Sequence, residues 1–142
     1  RMKVLGGEAV VETVQQIEAG TVDPQPQDDS QASPAPKIHD DDCEIPWEKS
    51  GEAVHNHVRG LSPYPGAWTM HDDTRLKLYE TRRAEGDGAP GEVIEADGRL
   101  LVACGQDAVE VVTIQQPGRK RLDARDFLNG YDLGVGDRLG TA

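Results

Sequence analysis

The chain has 142 residues, a net charge of −11 at pH 7 and only six aromatic residues among Phe, Trp and Tyr. Its length fits one domain, or one domain with a tail, and its core is expected to consist mostly of Val, Leu, Ile and Ala. No apolar run approaches the ~20 residues of a membrane helix, and we expect no signal peptide. The sequence opens on Arg1 rather than Met, from which we expect a fragment or a trimmed form of a longer chain.

The charge is distributed unevenly along the chain. Residues 1–48 carry 11 acidic and 3 basic residues, whereas residues 49–142 carry 15 and 12. Phosphate contacts need clustered Lys and Arg, so the total charge argues against a nonspecific nucleic-acid binder. The second part can still present a basic face. Cys43 and Cys104 match neither a disulfide framework nor a zinc pattern, and they suit a reducing cytoplasm.

The first third of the chain is expected to be a helix followed by a linker. Apolar residues recur with a 3.6-residue period over residues 2–19, and Gly20 follows as a C-cap. One such helix cannot bury its own apolar stripe, so we expect it to contact a partner surface or to self-associate weakly. Residues 21–47 are rich in Pro, Gln and Asp, a composition typical of extended linkers.

The rest of the chain predicts a small β-barrel with short helices. A helix is expected over residues 50–59, with Ser50 as its N-cap, and another over residues 123–129. The strongest hairpin signal is Asp97-Gly98 between two apolar runs. About five short strands separated by turns favour a barrel over an open sheet. The expected strands are residues 67–71, 75–83, the hairpin within 91–104, 109–115 and 135–139.

No motif predicts a catalytic or metal site within this chain. Residues 39–44 are acidic but match no EF-hand or zinc spacing. His55 and His57 would point to different faces of a helix and would not chelate together. Seven basic residues are candidates for a nucleic-acid-binding face, with ordinary solvated charge as the alternative. They are Arg59, Lys77, Arg82, Arg83, Arg119, Lys120 and Arg121.

Four parts of the chain, in order, resemble methionyl-tRNA formyltransferases. Residues 54–69 (VHNHVRGLSPYPGAWT) resemble the start of that family's C-terminal domain. Residues 5–20 are similar to the last helix of its formyltransferase domain, and 24–28 with 35–38 to its interdomain connection. Residues 126–130 and 136–139 are similar to its C-terminal end. Related domains occur in formyltetrahydrofolate dehydrogenases and in a sugar-nucleotide formyltransferase.

The resemblance implies that residues 1–48 are the terminal helix and linker of a formyltransferase domain. Residues 49–142 would then be a C-terminal barrel of the oligonucleotide-binding type, which helps to hold initiator methionyl-tRNA. The family's catalytic Asn-x-His pair and its 10-formyltetrahydrofolate site belong to the preceding catalytic domain. This chain is therefore expected to be inactive alone and to bind no cofactor. The acidic linker is expected to repel tRNA.

An alternative assigns the chain to a related enzyme and gives it a role without RNA. The chain would then be the C-terminal domain of a related formyltetrahydrofolate-using enzyme, acting as a structural or docking module without RNA binding. The net charge of −11 favours this alternative. The two hypotheses differ in whether the basic residues cluster on one face and whether binding weakens with salt.

Overall fold

The computed structural model describes residues 2–140 and separates the chain into two compact units, Arg1–Pro36 and Lys37–Ala142. The sequence predicted a domain starting at residue 49, whereas the second unit starts at Lys37. Residues 37–48 are part of the second unit, because Cys43, Ile45 and Trp47 are buried in its core.

The first unit consists of helix α1 (Met2–Ala19) and an irregular segment. Gly20 ends the helix with φ +68°, and the amides of Gly20 and Thr21 donate to the carbonyls of Ile17 and Gln16. Such paired hydrogen bonds satisfy the last helical carbonyls. The apolar side chains of α1 are all exposed within this unit. The predicted helix is present, and residues 21–36 of the predicted linker are irregular apart from a short 3-10 turn at Asp29–Gln31. The predicted linker over residues 37–47 is wrong, because that stretch belongs to the second unit.

In the part that the structure describes, the second unit contains a short 3-10 helix (Asp41–Cys43), two α-helices and six strands. Ser50 caps the first of the two α-helices, since its Oγ accepts a hydrogen bond from the Ala53 amide at 3.3 Å. The elements are α2 (Gly51–Leu61), β1 (Ala67–His71), β2 (Thr74–Ala84), β3 (Val93–Glu95), β4 (Leu100–Ala103), β5 (Ala108–Gln115), β6 (Leu122–Asp123) and α3 (Ala124–Leu128).

The strands form one curled antiparallel sheet in the order β1-β2-β5-β4-β3, with β6 paired to β5. Strand β2 carries a register shift on each side of Glu80. Leu76 and Leu78 point into the core before this irregularity, and Thr81 is buried after it. The predicted barrel-like fold is confirmed, and β6 is a short strand that the sequence pattern did not indicate.

The segment before Gly140 connects the two edges of the sheet. Residues 136–139 exchange backbone hydrogen bonds with Gly91 and Val93, at 2.8 to 2.9 Å. The next amide, that of Gly140, donates to the carbonyl of Met70 in β1 at 2.8 Å. The predicted strand over residues 135–139 is wrong, since only an isolated bridge forms there, between Glu92 and Arg138. One turn prevents a regular strand: the Asp137 amide donates to the Gly134 carbonyl at 3.2 Å, and Gly136 inside the turn has φ +94°.

The core lies between the concave side of the sheet and α2. Val54, Val58 and Leu61 form the buried stripe of that helix. The indole of Trp47 donates to the Thr69 hydroxyl at 2.9 Å, so both polar atoms are satisfied in the interior.

A substitution of Gly91 tests how the sheet is closed. Its φ is +83°, and a Cβ at this position would lie 2.1 Å from the Leu139 carbonyl oxygen. Gly98 has φ +73° but open space around it, so it is a matched control. We expect Gly98→Ala to cost about 1 kcal/mol from backbone strain alone. Gly91→Ala should cost at least ~2 kcal/mol more, because the carbonyl must move. Urea unfolding measures both, and equal losses would contradict this account of closure.

Candidate functional site

The connection between α2 and β1 is a short, ordered loop, residues 62–66, with the sequence SPYPG. The Gly66 amide donates to the Leu61 carbonyl at 2.9 Å and ties the end of the loop to the helix. Gly66 has φ +86°, and a Cβ there would lie 2.9 Å from the Tyr79 ring. This close approach requires glycine.

Two of the predicted basic residues hold this loop from different strand regions. Lys77 in β2 donates from Nζ to the carbonyl of Pro65 at 3.0 Å. Arg121, just before β6, donates from Nη2 to the carbonyl of Pro63 at 3.0 Å. These bonds leave further N–H donors on both cations, since an ammonium has three and a guanidinium five.

Tyr79 connects the same loop to the turn after β5. The guanidinium carbon of Arg121 lies 3.5 Å from the centroid of the Tyr79 ring, a cation–π arrangement. The Tyr79 hydroxyl donates to Gln115 Oε1 at 2.7 Å, and the Gln115 amide donates to the Arg119 carbonyl. Residues 119–121 are therefore held beside the outer face of β2.

These contacts bring Lys77 and Arg121 to the same loop, and Arg119 and Lys120 directly precede Arg121 in the chain. We call these four residues the basic cluster. Arg119 and Lys120 are exposed. Within the part of the chain that the structure describes, none of the four forms an ion pair with a carboxylate. Their charge is therefore available to an anionic partner. A groove of about 210 Å³ lies beside the cluster, lined by Arg75, Lys77, Tyr79, Gln115, Gln116, Pro117 and Gly118.

Arg75 also lines this groove but was not among the predicted residues. Its guanidinium lies 3.9 Å from the centroid of the Trp68 ring and 2.8 Å from Asp40 Oδ2. Strand alternation could have identified it, because Arg75 and Lys77 share one face of β2. The ion pair with Asp40 partly neutralises Arg75, so we do not include it in the basic cluster.

The other three predicted basic residues are not linked to the cluster by any side-chain contact in the described chain. Arg83 is six residues from Lys77 along β2, roughly 20 Å away, and pairs with Glu52 at 3.2 Å. Arg82 is exposed on the same strand opposite Glu110. Arg59 donates to Asn56 within α2 at 3.0 Å.

Two histidines and both cysteines of the second unit lie in buried or half-buried positions. His55 Nδ1 lies 3.0 Å from the Thr81 hydroxyl, and burial lowers the pKa of His57. Burial, with Asp40 and Asp42 nearby, raises the pKa of Cys43. Burial raises the pKa of Cys104 to about 11. Within residues 2–140, no group of three or more His, Cys, Asp or Glu side chains is placed to hold a metal ion.

The raised thiol pKa values predict slow cysteine chemistry in the folded chain. At pH 8 both thiols should react with Ellman's reagent much more slowly than in 6 M guanidinium, since thiolate is the nucleophile. Because folding raises the thiol pKa of Cys104, the unfolded chain loses its thiol proton at a lower pH than the folded chain does. The free energy of unfolding is therefore unaffected by this thiol below pH ~8.5 and falls as the pH rises toward about 11. Rapid labelling of the folded chain at pH 8 would contradict the burial of these thiols.

Comparison with known proteins identifies relatives of the whole chain. Residues 37–132 match the family model described as "Formyl transferase, C-terminal domain". The chain is 41% identical over 142 residues to a methionyl-tRNA formyltransferase of Citrifermentans bemidjiense and 44% identical to one of Solibacter usitatus. Each match covers 99% of this chain but only 44% and 45% of the relative, so the chain spans less than half of their length.

Solved structures share the fold at lower identity. HypX from Aquifex aeolicus in complex with tetrahydrofolic acid superimposes with a TM-score of 0.69 over 92% of this chain and 24% of its own, at 23% identity. A variant of the same protein (A392F-I419F) gives a TM-score of 0.66 over 95% of this chain and 26% of its own, at 21% identity. Among the described residues, no helix is long and apolar enough to cross a membrane.

Proposed function

The chain belongs to the family of formyl transferase C-terminal domains, and from this membership we propose that it is the tRNA-holding C-terminal part of a cytoplasmic methionyl-tRNA formyltransferase. The names of the relatives, at about 40% identity over almost all of this chain, support the assignment to the tRNA enzyme. The single structural observation that supports a tRNA-holding role is the unpaired basic cluster beside loop 62–66.

The complete enzyme would transfer a formyl group from 10-formyltetrahydrofolate to the amino group of methionine on initiator tRNA. The amine must be deprotonated to attack the formyl carbon, and the tetrahedral oxyanion needs hydrogen-bond donors around it. We assign those groups to a catalytic domain that precedes this segment. The role of this chain is then to bind and orient the tRNA.

The chemistry of the cluster suits a phosphate backbone. Lys77 and Arg121 are fixed through carbonyl acceptors, which leaves their charge unneutralised. Arg119 and Lys120 add two exposed cations on the adjoining turn. Double-stranded RNA is recognised mostly through its shape, its 2′-hydroxyls and its phosphates. A set of cations on one face can therefore hold a tRNA arm without reading its sequence.

Two charge-matched double variants test which cations bind tRNA. Arg119→Gln with Lys120→Gln should weaken binding of labelled initiator tRNA about tenfold at low salt. It should also reduce the slope of log K against log salt by about 2, because two phosphate contacts are lost. Arg82→Gln with Arg83→Gln removes the same charge away from the cluster and should leave the slope nearly unchanged. Fluorescence anisotropy of the tRNA measures both.

Each outcome separates the two functional hypotheses. Equal effects of the two double variants would mean that only net charge matters and that the cluster is no site. If the unaltered chain shows no saturable tRNA binding at low salt, the docking-module alternative would replace the proposal. The domain would then contact the catalytic domain or another protein without holding RNA.

The chain alone should not catalyse formyl transfer. We expect no labelled formyl group to appear on methionyl-tRNA when the purified chain is incubated with 10-formyltetrahydrofolate, because no residue constellation here resembles the family's catalytic pair. A full-length formyltransferase homologue in the same assay is the positive control. Any turnover above the background of a heat-denatured sample would disprove this division of labour.

A further inference from the structure

Tyr64, in the middle of loop 62–66, is the most exposed aromatic residue of the chain. The residue is 89% exposed, while the other five aromatic residues, all within the described part, are buried or partly buried. Its ring makes no hydrogen bond or ring contact with any residue between 2 and 140. The fold of the second unit therefore makes no use of this ring.

The backbone under Tyr64 is nevertheless fixed. The carbonyls of Pro63 and Pro65, on either side of it, accept hydrogen bonds from Arg121 and Lys77 at 3.0 Å. The Gly66 amide is bound to Leu61, which anchors the loop to α2. A ring on a fixed loop loses little conformational freedom when it is covered, so a contact made by it is not offset by a large ordering cost.

The surroundings of the ring favour an RNA base over an apolar protein surface. Arg121 and Lys77 bind the carbonyls just before and just after Tyr64. Neither cation is paired with a carboxylate within residues 2–140. An exposed ring on a loop whose flanking carbonyls are bound by two cations matches a nucleotide, in which a stacking base is joined to phosphates. A hydrophobic partner would instead have to desolvate both charges.

We propose that Tyr64 is a stacking platform for an unpaired base of the bound RNA, with Lys77 and Arg121 contacting the phosphates next to that base. This inference rests on the proposed tRNA-holding function. It adds a residue that would distinguish unpaired nucleotides from duplex RNA. The bases of a duplex are stacked on each other and offer no free face. An unpaired nucleotide in a loop or at an end of the tRNA does.

The test compares Tyr64→Ala and Tyr64→Phe in the complete 142-residue chain. Three labelled probes are titrated by anisotropy: initiator tRNA, a single-stranded oligouridine and a blunt RNA duplex without unpaired bases. Tyr64→Ala should weaken binding of the tRNA and of the single strand about tenfold. Tyr64→Phe keeps the ring face and should remain within about twofold of the parent chain, as should both variants on the duplex.

The salt dependence distinguishes stacking from charge. Tyr64→Ala removes no cation, so the slope of log K against log salt should be unchanged while the affinity falls. Removal of Arg119 and Lys120 should change the slope. Because Tyr64 is exposed, the thermal unfolding midpoint of Tyr64→Ala should equal that of the parent chain, which excludes a folding defect.

The possible results separate this inference from the proposed function. Unchanged tRNA and oligouridine binding by Tyr64→Ala overturns the stacking role. The exposed ring would then be assigned to a contact with another protein surface. An equal loss on the duplex also overturns it, because the ring would then act without an unpaired base. Ring-dependent binding of oligouridine without any tRNA binding would support stacking and refute the proposed function. A chain that binds none of the three probes refutes both.

Discussion

The closure of the curled sheet depends on backbone hydrogen bonds made by residues 136–140. These residues bond to Gly91 and Val93 beside β3 and then to Met70 in β1, so they join the two edges that the strand order leaves open. Edge strands with free amides and carbonyls invite pairing with other chains. Closure removes that exposure and fixes β1, and thereby fixes the end of the loop that carries Tyr64.

The basic cluster is coupled to this framework through carbonyl groups and one aromatic ring. Lys77 and Arg121 donate to the two prolines of loop 62–66, and Arg121 also lies over Tyr79. The same residues therefore hold the loop in place and provide its charge. A substitution of either cation would alter loop geometry and electrostatics together, which is why exposed Arg119 and Lys120 report on charge alone.

Local sequence signals predicted the positions of most helices and strands. They did not predict which segments distant in sequence pair with each other. The cap at Ser50 and the hairpin signal at Asp97-Gly98 are encoded within a few residues, so α2 and the β3–β4 hairpin were predictable. The tight type I′ turn expected from Asp97-Gly98 is wrong, since Glu95 pairs with Leu101 and, of the two, only Gly98 has a positive φ. The strand predicted over residues 135–139 is wrong, because a turn closed between Gly134 and Asp137 interrupts it and its remaining hydrogen bonds have partners distant in sequence. The seven basic residues could not be sorted for a similar reason. Which of them are neighbours depends on strand register and on the irregularity at Glu80 in β2.

The carbonyl-anchored cations bear on solubility. A cation oriented by a carboxylate is neutralised by it, so a protein that builds an anion site in that way needs an excess of basic residues. Here backbone carbonyls orient Lys77 and Arg121, and the rest of the chain is free to be acidic, with a net charge of −11. Like-charged molecules repel each other and remain dispersed. Colloidal stability and local affinity for anions can therefore be tuned by separate sets of residues.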